Sequence, residues 1–154
     1  MATSPPRRPA FISSIVYRDN RAAIAWLQRA FGFEVHEVLT DAKDNILHAE
    51  MSHGDGVIMI GNEFVDWARS PASIGGKNTQ RLHVHIERDI DAHCERARAA
   101  GARIVMEPND QFYGVRTYVA QDPDGHHWTF GQPVRQVSNE EMERATGLKY
   151  KPFK

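Results

Sequence analysis

The chain is poor in several things, and each shortage closes off a class of function. It holds one cysteine, Cys94, among 154 residues, so no internal disulfide can form. Thiol content therefore gives no sign of an oxidising compartment, and a reducing cytoplasm is the expected setting. No apolar run approaches the roughly 18 residues of a membrane span. The opening Met1-Ala2-Thr3-Ser4-Pro5-Pro6-Arg7-Arg8 has no apolar signal core behind it, so neither membrane insertion nor export is expected. Charge of one sign is scarce too. With 19 Lys+Arg against 20 Asp+Glu, the net charge is −1, and there is no broad basic field to neutralise phosphates, which argues against nucleic-acid binding. Nor is there a Gly-x-Ser-x-Gly, P-loop or dinucleotide fingerprint.

What is present is enough apolar material for a core, at 41% of residues, in a chain long enough to fold without disulfide or structural metal. Residues 1–10, rich in proline and arginine, read as a flexible leader. Phe11 to Tyr17 is β-branched and aromatic, and Asp19 or Asn20 can cap a helix beginning after it. Ala23, Trp26, Leu27 and Ala30 recur at helical spacing before Gly32, predicting a helix over 21–31. Three strands are expected at 33–39, 45–52 and 57–61, parted by Asp41-Ala42-Lys43-Asp44 and His53-Gly54-Asp55-Gly56.

The β-α-β-β-β order then returns, with strands at 82–87, 103–107, 116–121 and 127–131 and a helix over 91–100. Gly32, Arg29, Ala30, Asp55 and Gly56 recur 69 residues on as Gly101, Arg98, Ala99, Asp124 and Gly125, and Gly61 recurs 70 on as Gly131. The pattern predicts an α+β protein of two βαβββ modules, 11–61 and 81–131, joined by a linker over 62–80. Residues 132–154 form a tail with a short helix, in which Ser138 and Glu141 make a capping box and Gly147 a stop.

Duplicated βαβββ modules, with Asp122-Pro123-Asp124-Gly125 before the last strand, Ala30-Phe31-Gly32-Phe33 and Ala99-Ala100-Gly101-Ala102 closing the helices, and Tyr113-Gly114 before strand seven, resemble the vicinal oxygen chelate superfamily. That superfamily holds glyoxalases, bleomycin-resistance proteins and extradiol dioxygenases. The resemblance implies curved mixed sheets whose concave faces line a cavity. It also implies a homodimer, with modules paired within or between chains. Its metal enzymes carry ligands early in strands one and five and in strands four and eight. Those positions fall here on Ile12, Met59, Arg81 (or Leu82 in a shifted register) and Thr129. None is a good donor to a divalent ion, so no metal and no other cofactor is expected, and the metal-free, antibiotic-sequestering branch is the one resembled.

Alternation of strand side chains aims Arg81, His83 and His85 into such a cavity, and His48 and Glu50 with them, leaving Leu47, Ala49 and Met51 for the helix. His-x-His with His48 and Glu50 could form a displaced metal site; otherwise these are hydrogen-bonded pocket or interface residues. Arg116 beside Tyr113 could pin an anionic or planar ligand, or make a surface salt bridge. Trp67 lids a pocket, fills an interface or docks on the core, whereas Trp26 and Trp128 belong to the core. Cys94 is expected as a small core residue. The resulting expectation is a homodimeric protein that sequesters or carries a small, partly apolar organic molecule, as antibiotic-resistance proteins of this type do. The alternative is an enzyme: a metal-assisted lyase, isomerase or dioxygenase using His48, Glu50, His83 and His85, or a metal-free acid/base catalyst with Glu50 or a histidine as base.

Overall fold

A computed structural model describes residues 8–152. Residues 1–7 of the expected leader, and the last two of the tail, lie outside the described residues. The chain divides between Lys77 and Asn78 into two compact units.

In the first unit, β1 (Ser13–Tyr17), α1 (Asn20–Phe31), β2 (Glu34–Thr40), β3 (Ile46–His53) and β4 (Gly56–Asn62) follow in chain order. The sheet order is β1-β4-β3-β2, with β1 parallel to β4 and the other pairs antiparallel. Asp19 caps α1 by accepting from the Ala22 amide at 2.9 Å, which satisfies a donor the helix cannot pair itself. Gly32 ends it in the left-handed conformation, φ 75°. Asn20, the other cap expected from sequence, is buried instead: its side-chain amide donates to the Ile46 carbonyl at 2.9 Å and ties α1 to β3. One face of the sheet packs on α1, and Ile15, Tyr17, Ala49, Met51, Ile58 and Ile60 are buried with Leu27, Ala30 and Phe31.

Leu47 departs from the alternation expected of it and is 52% exposed. The β2–β3 register skips it, pairing Leu39 with His48 and Thr40 with Ile46. A bulge of this kind resets which residues face the core, and Ile46 is buried in its place.

The second unit repeats the plan. β5 (Leu82–His85), α2 (Ile90–Ala99), β6 (Arg103–Asp110), β7 (Val115–Gln121) and β8 (His127–Pro133) give the order β5-β8-β7-β6. Again the first and last strands are parallel and the remaining pairs antiparallel. β6 runs through Pro108, past the stretch expected from sequence; it is an edge strand, where a missing amide donor costs no central ladder bond. Trp128, Phe130, Tyr118, Ala120, Cys94 and Ala97 are buried. Burial pushes the Cys94 thiol up to about 11, which leaves it protonated and inert at neutral pH. α3 (Asn139–Thr146) follows, capped by Ser138, whose hydroxyl accepts from the Glu141 amide at 3.1 Å.

The Asp122-Pro123-Asp124-Gly125 turn is held by one carboxylate. Asp122 Oδ1 accepts from the amides of Asp124 at 3.0 Å and His126 at 2.9 Å, and Oδ2 accepts from Trp128 Nε1 at 3.0 Å. The motif therefore fixes the entry to β8 and anchors the largest core side chain in the same stroke.

Candidate functional site

Side chains of cross-strand partners share a face of the sheet, so the ladders say which residues stand on the side away from the helix. In the first unit the row reads Ser14, Met59, Glu50 and Glu37 from β1 to β2. His48 and Ser52 flank Glu50 on its own strand. Glu50 is the centre of this face, its side chain only 13% exposed, and Arg8 Nη2 donates to its Oε1 at 2.5 Å. His48 Nε2 stands 3.6 Å from the same oxygen. The bond from Arg8 holds the Glu50 carboxyl below its ordinary range. Beside Met59, a side chain added at Gly61 would meet nothing within 4 Å, so the face is open there.

In the second unit the matching row is His83, Thr129, Val119 and Met106, and the next is His85, Gly131, Thr117 and Asn109. His83 and His85 are exposed, Thr129 and Thr117 buried. Arg81, exposed, immediately precedes β5. Of the residues singled out from sequence, His48, Glu50 and Met59 stand together on one helix-free face, and His83, His85 and Thr129 on the other.

Arg116 stands apart from both groups. It shares the face of Tyr118, towards α2, and donates to Asp91 Oδ1 at 2.9 Å and to Asp110 Oδ1 at 2.9 Å. It closes α2 onto β6 and β7, the salt-bridge alternative of the two read from sequence. Tyr113 is exposed and meets Phe112 edge-on at 5.1 Å. Trp67 is 88% exposed, undocked from the core of its unit. Sequence reading missed Arg8, which sits in the leader, and passed over Ser14 and Glu37, which alternation from Met59 and Glu50 would have found.

The description that matches residues 10–130 is the Glyoxalase/Bleomycin resistance protein/Dioxygenase superfamily. The chain belongs to this superfamily. It is 31% identical over 141 residues to an uncharacterized protein of Mycobacterium bovis, Mb0911c, covering 89% of this chain and 91% of that one. Among solved structures it resembles TioX from Micromonospora sp. ML1, at 31% identity and a TM-score of 0.65, over 84% of this chain and all of that one. TnmS3, described as an antibiotic binding protein from Streptomyces sp. CB03234, shares the fold at 20% identity and a TM-score of 0.61, over 86% of this chain and 98% of that one.

Metal enzymes of the glyoxalase and dioxygenase type need carboxylate or imidazole donors, usually three from the protein. The positions that the resemblance carries over hold Ile12, Met59, Arg81 and Thr129, a donor set that does not fit a divalent ion. Among the described residues no three His, Cys, Asp or Glu side chains gather closely enough to hold one. His48 with Glu50, and His83 with His85, each stop at two. No helix among the described residues is long and apolar enough to cross a membrane.

Proposed function

We propose that this superfamily member binds a small, partly apolar organic molecule on its helix-free sheet faces without a metal, and sequesters or carries it rather than transforming it. The observation that supports this most is Met59 in the centre of the first face and Thr129 in the second. A thioether and a hydroxyl stand where a metal enzyme would place strong ligands. On the first unit's face Met59, Val57 and the open space over Gly61 supply apolar surface worth roughly 25 cal/mol per Å² removed from water, with His48 and Glu50 to orient a molecule there; Arg81, His83 and His85 are the orienting groups of the second unit. Trp67 in the first unit and Tyr113 in the second are exposed aromatics, each available to cover a molecule bound to its own unit. The working form is a cytoplasmic homodimer. Antibiotics are the first ligands to try, since TnmS3, which shares the fold, is described as binding one.

An acid/base enzyme built on Glu50 is the weaker reading. A carboxyl held below its ordinary range by Arg8 is a poor base at neutral pH.

The test is a thermal-shift screen of antibiotics and other small organic molecules on protein stripped with EDTA. A ligand that raises Tm in proportion to the logarithm of its concentration, equally with and without EDTA, supports the reading. Stoichiometric nickel, zinc, manganese or iron on purified protein, lost on His83→Ala with His85→Ala, overturns it.

A further inference from the structure

We propose that Glu50 is a seat for a guanidinium or ammonium group, and that Arg8 is a tethered occupant which a cationic ligand displaces. This rests on the reading of the helix-free face as a ligand face, and it names the charge that the ligand brings.

None of β1, β2, β3 and β4 contains a lysine or arginine. Yet Glu50 is set mid-strand with its side chain 13% exposed, and Glu37 stands directly opposite it on β2. Two carboxylates facing each other across a ladder repel, and a carboxylate withdrawn from water needs a partner. The sheet itself offers Glu50 only His48, 3.6 Å from Oε1, which is a cation only when protonated, and no permanent cation. The partner comes instead from outside every helix and strand, 42 residues away in sequence: Arg8 Nη2 on Glu50 Oε1.

Arg8 is joined to this face more loosely than Glu50. Its side chain stays 54% exposed while its guanidinium donates to Glu50. Arg116, by contrast, is gripped by two carboxylates, Asp91 and Asp110, from two elements. A group hydrogen-bonded to one carboxylate and drawn to Glu37 only by charge, on a segment without regular structure, can be exchanged for an equivalent cation from solution, which both carboxylates attract in the same way. The neighbourhood suits the remainder of such a molecule. Met59 is beside Glu50 on β4, and the space over Gly61 is open, so an apolar stem can lie along β4 with its cationic head on β3.

Displacement makes affinity depend on how often the seat stands empty. The apparent dissociation constant is the intrinsic one divided by the fraction of molecules with Arg8 released. Removing the Arg8 guanidinium therefore tightens binding of a cation and leaves a neutral isostere unaffected.

The experiment uses the full-length protein, n-butylguanidinium as probe and n-butylurea as its neutral isostere, each titrated by amide NMR. Expected are shifts at β3 and β4 with butylguanidinium, tightened about three- to tenfold by Arg8→Gln. Arg8→Lys, which keeps a tethered cation, stays near wild type. Glu50→Gln removes the preference for guanidinium over urea in either background. If Arg8→Gln leaves butylguanidinium affinity unchanged, or if urea binds as well as guanidinium, the proposal is overturned. If butylguanidinium fails to bind this face while a neutral organic molecule does bind it, the cation seat is overturned and the broader reading of the face stands. Failure of every organic molecule to bind overturns both.

Discussion

Ser14, Met59, Glu50 and Glu37 cross the helix-free face of the first sheet in the same strand order as His83, Thr129, Val119 and Met106 cross the second. The backbone ladders correspond step for step and the chemistry does not. One face centres on a carboxylate neutralised by a borrowed arginine; the other carries imidazoles and hydroxyls. On the helix side the same positions stay apolar, with Ile58 and Ile60 in one unit and Trp128 and Phe130 in the other. Burial against a helix constrains a side chain to be apolar and of the right size. The open face is under no such constraint, and there the two halves have parted.

The comparison can be broken hardest at the core. Trp128→Ala removes the largest fully buried side chain and is expected to cost about 3–5 kcal/mol, against about 1 kcal/mol for Ile58→Val at the corresponding place in the first unit. Amide hydrogen exchange, which tracks local opening, reads the two units separately. The expected outcome is lost protection in β7 and β8, with β3 and β4 retaining theirs. The turn is the next contrast. Asp122 satisfies three donors, so Asp122→Ala costs about 3 kcal/mol by leaving buried N–H groups unpaired. His53, 69 residues earlier, meets Phe33 edge-on at 5.5 Å; His53→Ala costs about 1 kcal/mol. Equal losses at the two turns, measured as urea midpoints at unchanged slope, would show that the turns are built alike after all. Glycines sharpen the contrast further. Both Gly114 and Gly54 have positive φ, but a Cβ at Gly114 would lie 2.3 Å from the Arg135 carbonyl oxygen, whereas one at Gly54 meets nothing within 4 Å. Gly114→Ala is expected to cost about 2–3 kcal/mol and Gly54→Ala about 1, the backbone strain alone.

How much of this was readable beforehand obeys the same division. Gly32, Gly101 and the Asp122 turn punctuate the chain where backbone conformation demands particular residues, so element order and the duplication could be read from them. Apolar spacing in 23–30 and alternation in β5 and β8 told the core from the other face. Leu47 was misplaced because a bulge shifts register without changing composition, and β6 was cut short because edge position, which excuses Pro108, is a property of the sheet and not of the strand. Arg8 was beyond reach altogether. Its bond to Glu50 spans 42 residues and leaves no periodic trace, and a proline-rich leader reads the same whether or not one of its arginines is in use. Arg116 illustrates the converse: its residue type was informative, while its face depended on the β7 register.

The smallest expected effect bears on the most informative difference between the units, the borrowed cation. Because Arg8 lowers the Glu50 carboxyl from its ordinary value of 4.5, the folded state holds that proton less tightly than the unfolded chain does. The pair therefore stabilises the protein fully above the ordinary carboxylate range, and the contribution is lost as pH falls through the folded value. Wild type and Arg8→Gln should thus differ slightly in urea midpoint near pH 7, converge once pH has fallen below the lowered Glu50 value, and also converge at about 1 M salt, where exposed charges are screened. The second unit, whose sheet face has no such pair, should show the same hydrogen exchange in both proteins throughout. If the difference persisted at acid pH, Arg8 would be contributing through packing of its stem and not through charge, and the first face would be neutralised from elsewhere.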